Sequence, residues 1–212
     1  MSTSQHESAE PLFRRPGRED ALALARAQFL AGERVDMQTL AARLGVGRTT
    51  LYRWVGDRDQ LLGDMLADLA DELIATAAAR APGTGLDRFL ASIRSYLELV
   101  IAADPFQTFL AREPDAALRL IMSKRSPLFR RGAATVAALL DEAVPEAREG
   151  NTAEVAEVIV QVASALVSAA YAVGDDPDVD RAIEVISTLL QARRAPNVPR
   201  RESRASDAAA ST

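Results

Sequence analysis

Apolar positions recur at helical spacing along almost the whole chain, and strand-like alternation is scarce. From Glu19 to Ala31 the inward set is Leu22, Ala25 and Phe29, which predicts a first helix. Leu40, Ala41 and Leu44 share one face of a short second helix. Asp36 ahead of them suits an N-cap, because its carboxylate accepts from the free amides of a first turn. Gly45 follows as a stop, where a left-handed backbone is cheap only for glycine. Gly47 to Val55 resumes the helical pattern, with Leu51, Trp54 and Val55 as candidate inward positions. Asp57 with Gln60 three residues later has the pattern of a capping box. It opens a fourth helix running to about Arg80, whose stripe is Leu61, Leu62, Met65, Leu69, Leu73 and Ile74.

Beyond that helix, APGTG at 81–85 is the best boundary between domains. A helix from about Leu86 to Ala103 follows, with Phe89, Ile93, Tyr96, Leu97 and Val100 on one face. Pro105, Pro114 and Pro127 then open three shorter segments, since proline suits a first helical turn and breaks what precedes it. Thr152 to Val173 reads as a strongly apolar helix. Gly174 to Pro177 turns the chain, and Asp178 caps a last helix ending near Arg194. Ala, Leu and Arg dominate the composition. The expectation is therefore an all-α fold: a three-helix N-terminal head joined by a long helix to a C-terminal helical domain. The expected division is a disordered arm over 1–17 and a head over 18–62, with its fourth helix continuing to about 80. A second domain over 84–194 and a disordered tail over 195–212 complete it.

Hydrophobic residues make up 48% of the 212 residues, enough for a sizeable core. The chain has no cysteine, so thiol chemistry and disulfides are excluded, and its one histidine, His6, lies in the N-terminal arm. No metal-ligand spacing, phosphate loop or nucleophile elbow occurs, so no catalytic site, metal or cofactor is expected. The start of the chain lacks the apolar core of a signal peptide. The apolar run 158–173, broken by Gln161, Ser164 and Ser168, reads as too short and polar for a membrane span. These features fit a cytoplasmic protein, and a single Lys (Lys124) among 25 basic residues fits a GC-rich bacterial source. Net charge is −5, but it is unevenly spread: Arg14 to Leu62 holds nine arginines against six acids, while 63–212 holds 16 basic residues against 22 acids. A basic head on an acidic body is what a protein that meets DNA at one end would carry.

The segment Asp36 to Leu62 then carries the chemistry. Four and ten residues separate Ala41 from Gly45 and Leu51, a spacing that suits the core of a helix-turn-helix. The helix from Gly47 would present Arg48, Thr49, Thr50, Tyr52 and Arg53 outward. Arginine suits guanine edges and phosphates, threonine methyls the thymine methyl, and hydroxyls the phosphates. Along LAARLGVGRTTLYRWV and the following DRDQLL the chain resembles the TetR/AcrR family of bacterial regulators. Gly47 stands where Ser or Thr commonly caps the recognition helix, Trp54 and Val55 replace an aromatic pair, and Arg58 replaces a frequent lysine. The DNA-binding set that follows is Arg48, Thr49, Thr50, Tyr52, Arg53, Trp54 and Arg58, with Arg58 offered to phosphate.

The resemblance also implies a homodimer and a small-molecule pocket in the C-terminal domain. The two last helices offer Val155, Ile159, Val162, Leu166, Ala169, Ile183, Ile186 and Leu190 as the dimer interface. The aromatics of an aromatic-poor middle segment offer Phe89, Tyr96, Phe106, Phe109, Met122 and Phe129 as the pocket. FLAREPDAALRLIMS in addition looks similar to a subgroup linked to breakdown of quorum-sensing signals and γ-lactones. The expected function is a repressor, not an enzyme. It would release a palindromic double-stranded operator when a small apolar effector binds. The alternative is a helical small-molecule-binding or partner-binding module without sequence-specific DNA binding.

Overall fold

Ten helices and no strand make up the described part of the chain, residues 15–144 and 151–194, in a computed structural model. Most of the N-terminal arm and the whole of 195–212, expected to be disordered, lie outside the described residues. The order is α1 (Arg18–Leu30), α2 (Met37–Arg43), α3 (Arg48–Val55), α4 (Arg58–Arg80), α5 (Gly85–Ile101), α6 (Asp104–Arg112), α7 (Pro114–Met122), α8 (Pro127–Ala143), α9 (Thr152–Val173) and α10 (Val179–Arg194). The all-α expectation holds.

Local chemistry sets the ends. Asp36 accepts from the Thr39 amide at 2.8 Å, and Gly45 takes φ +65° to turn the chain from α2 to α3. Asp57 accepts from the Gln60 amide at 2.7 Å, but the Gln60 side chain donates forward to Asp64 rather than back to the cap. The expected capping box is thus a single cap, because an acceptor one turn on competes for the amide. Asp178 caps α10 through the Arg181 amide at 2.8 Å.

Two apolar cores result. In the first, Ala21, Ala25, Leu40, Leu51 and Leu61 are wholly shielded, and α6 and α7 add Phe109, Ala117 and Leu120. The second joins Ile74 of α4 to Phe89 and Ile93 of α5, Leu140 of α8, and the inner edges of α9 and α10. Helix α4 belongs to both cores. Its 23 residues span about 35 Å. Near its start it crosses the beginning of α8 so closely that a Cβ on Gly63 would lie 2.7 Å from Pro127 Cδ. Arg131 of α8 pairs with Asp68 and Asp71 along the same helix.

Candidate nucleic-acid interface and interior cavity

Helix α3 is packed by Leu51 and Val55, both buried, which leaves its other face to solvent. Arg48, Thr49, Tyr52 and Arg53 are exposed there and Thr50 is half-buried. Trp54 is half-buried against the head's core, nearer its alternative role as an inward residue than that of a groove contact. Gly47 supplies no side-chain cap, and no acid stands in the first turn, so the amides at the start of α3 keep their affinity for an anion.

Charge pairing separates the head's arginines into two groups. Arg18 pairs with Asp64, Arg26 with Glu72, and Arg34 with Glu113 at 3.6 Å. Arg48 and Arg53 of α3 make no side-chain hydrogen bond or ion pair among the described residues. Neither does the exposed Arg43 in the last turn of α2. Arg43 was not among the candidates read from the sequence; its signal is a cation in the last turn of the helix that precedes the turn.

Arg58 departs from expectation. Its Nε donates to the Val35 carbonyl at 2.6 Å and its Nη2 to Glu113 Oε1 at 2.8 Å. The guanidinium faces the corner between α6 and α7 instead of standing free for a phosphate. A half-buried carboxylate is at hand, and a charged group leaving water takes the nearest opposite charge. Arg112 donates to the Gly32 carbonyl at 2.7 Å, and Phe29 meets Phe109 edge-on at 5.8 Å. A cleft of about 360 Å³ lies among these groups.

The larger cavity, about 490 Å³, lies between α1, α4, α5, α6, α7, α8 and α9. Tyr96, Phe106 and Phe129 line it, as the sequence suggested. Phe89, Phe109 and Met122 do not. Phe89 is spent in the second core, Phe109 packs on Phe29 beside the smaller cleft, and Met122 is exposed. An aromatic stripe reports burial, not which side of a helix meets a void. The lining missed by sequence is mostly aliphatic, with Leu69 and Leu73 of α4, Val136 of α8, and Val160 and Val167 of α9, joined by Phe29 of α1. Tyr96 is enclosed by protein yet keeps accessible surface, as a side chain facing a void must. Burial, and secondarily the negative charge of Asp71, pushes its phenol up to about 12.

The last two helices present a third surface. Ile159, Ile183, Ile186 and Leu190, expected at a dimer interface, are buried inside the protomer instead. Val155 and Leu166 are half-buried against that same core, Val162 is half-buried and Ala169 is exposed. The large apolar residues left outside are Val158 and Val173 of α9 and Leu189 of α10, 43%, 72% and 37% exposed. A helix apolar on several faces does not declare in sequence which face its own protomer uses. Contrary to the sequence reading, Thr152–Tyr171 is long and apolar enough to cross a membrane, and only 22% of its window is buried. Its inner edge nonetheless packs in the second core through Ala156, Ile159, Ala163 and Val167, and Glu157 pairs with Lys124 at 2.8 Å.

Known proteins place these features. Residues 84–191 match the family described as tetracyclin repressor-like, C-terminal domain. The structure of the R. erythropolis transcriptional repressor QsdR is similar at a TM-score of 0.77 and 29% identity, covering 82% of this chain and 94% of that one. The TetR-family repressor AlkX from Dietzia sp. strain DQ12-45-1b, implicated in biodegradation of n-alkanes, is similar at 0.59 and 25% identity, covering 84% and 98%. No curated protein matches the chain.

Proposed function

We propose, from the premise that this chain belongs to the TetR family of transcriptional regulators, that it is a cytoplasmic, non-catalytic repressor controlled by a small apolar effector. The observation that carries this reading is the set of unpaired arginines on α3 and the end of α2, in a head whose arginines elsewhere are neutralised by acids. Arg48 and Arg53 reach base edges or phosphates, Thr49, Thr50 and Tyr52 complete the reading face, and Arg43 adds a phosphate contact. Two such heads, over 18–62, read successive major grooves of a near-palindromic operator. Two bodies, over 84–194, are joined through the uncovered faces of α9 and α10. Both structural relatives are described as repressors, which supports that sign of regulation.

Coupling follows from shared elements. Helix α4 anchors Leu61 and Leu62 in the head and lines the cavity with Leu69 and Leu73 further along. Helix α6 lines the cavity with Pro105 and Phe106 and grips the head through Phe109 and Arg112. A ligand that fills the cavity better in one setting of these two helices shifts the spacing of the heads, and only by its difference in affinity for the two settings. Selection of bound duplex from a random pool, followed by salt-dependent affinity for the winner, tests the reading. The expected outcome is a symmetric motif with half-sites about one helical turn apart. No enriched motif, with Arg48→Ala and Arg53→Ala both leaving affinity unchanged, would instead favour a helical ligand- or partner-binding module.

A further inference from the structure

The cavity's polar groups narrow its ligand further, on the reading that it is the effector site. Three charged residues line it: Arg26, Asp71 and Glu72. Arg26 is bound through both terminal nitrogens by Glu72, and the pair is solvent-exposed. Asp71 takes Arg131 and the Thr135 hydroxyl, the latter at 3.3 Å. No unpaired cation therefore lines the cavity, and because Arg131 is shared between Asp71 and Asp68 the carboxylates around it outnumber the guanidiniums. Tyr96 and Ser164 line it with hydroxyls that have no hydrogen-bond partner among the described residues.

We infer that the cavity takes an uncharged, mainly aliphatic molecule bearing one hydrogen-bonding oxygen, fastened by the Tyr96 hydroxyl, and rejects the carboxylate of the same chain length. An anion would leave water for an apolar chamber beside Asp71 with no cation to meet it. A neutral ester or alcohol loses little hydration and satisfies a phenol that is otherwise unpartnered. The phenol stays protonated throughout the physiological range, since its ionisation lies near 12, so it is a standing donor. A volume of about 490 Å³ admits a ten-carbon chain with its head group.

Displacement of Nile red, a neutral polarity-sensitive dye, from the full chain tests this, with methyl decanoate, decan-1-ol and decanoate as competitors. The ester and the alcohol are expected to displace the dye, and decanoate at neutral pH to be at least about tenfold weaker. Decanoate is expected to gain as the pH falls towards its own carboxyl range, where it becomes neutral. Tyr96→Phe keeps the ring and is expected to weaken the ester by about threefold to tenfold while dye uptake is unchanged. Decanoate competing as well as the ester, and losing its grip in Arg26→Ala, would overturn the inference. It would place a carboxylate on Arg26 in exchange for Glu72, with the cavity still the binding site. Loss of ester affinity in Ser164→Ala but not in Tyr96→Phe would overturn the role of Tyr96. Absence of any dye uptake would overturn the effector-site reading itself, and the inference with it.

Discussion

The head and the body of this protein are built from the same helices and the same aliphatic residues, yet they close to different degrees. In the head Leu40, Leu51 and Leu61 are fully shielded, and the apolar face of each short helix is used up by its neighbours. The body, with α1 at one edge, surrounds a cavity of about 490 Å³ and leaves Val158 and Val173 of α9 exposed. A reading helix must be held in one geometry, so a saturated core suits it. On the proposed function, a domain that answers to an effector and a second copy needs apolar surface that only those molecules complete.

The largest effect should come from breaking the uncovered face. Val158→Asp puts a charge on an exposed position of α9 and leaves the protomer's own core intact. The expected result is a monomer in sedimentation and a loss of operator affinity of about 10²–10⁴-fold, the advantage of two linked sites over one. A variant that stays dimeric and binds normally would move the interface elsewhere. The matching break in the head is Leu51→Ala, which empties a fully buried site behind α3. It should cost about 2–5 kcal/mol in denaturant melts and abolish operator binding with it, because so compact a core has little slack to collapse.

The same contrast explains what the sequence disclosed. The turn at Gly45, the cap at Asp36 and the inward Leu51 were legible because each is a local rule: a positive φ, a first-turn acceptor, a helical period. The helix ends near Pro114, Pro127 and Thr152 were legible for the same reason. The cavity was legible only in part, through Tyr96, Phe106 and Phe129, and the outward face was not. Phe89 and Phe129 lie on helices of similar pattern, yet one fills a core and the other lines a void. Ile159 and Val158 are adjacent in an apolar helix, and only the position of α8 decides which is inside. The pairing of Arg58 was not legible because its partner, Glu113, lies 55 residues away and no local pattern announces it.

That pairing offers a finer test of how the two regions are joined. Glu113→Gln removes the charge that holds Arg58, and more loosely Arg34, against the corner of α6 and α7. The pair is only part-buried, so the stability lost should be about 1 kcal/mol. Operator binding should tighten, and the slope of log affinity against log salt should steepen by about one, as one more cation becomes free for a phosphate. An unchanged slope would make the Arg58–Glu113 pair a purely structural clasp.

The smallest effect tests how firmly the start of α2 is held. The Asp36 carboxyl is kept below its ordinary value of 3.8, first by the hydrogen bond from the Thr39 amide and then by the Thr39 hydroxyl. A carboxylate whose folded-state pKa is depressed contributes fully above its unfolded value, and the contribution disappears as the pH falls through the folded one. At neutral pH Asp36→Ala should therefore destabilise the protein by about 1 kcal/mol, the worth of an N-cap. Asp36→Asn, which keeps an accepting oxygen, should cost less. In melts at successively lower pH the gap between the native protein and Asp36→Ala should narrow once the pH passes below 3.8, because the native cap is then losing its charge too. A gap that stays constant to the lowest pH would mean that the side chain's shape, and not its charge, starts α2. The Asn variant would then match the native protein at every pH.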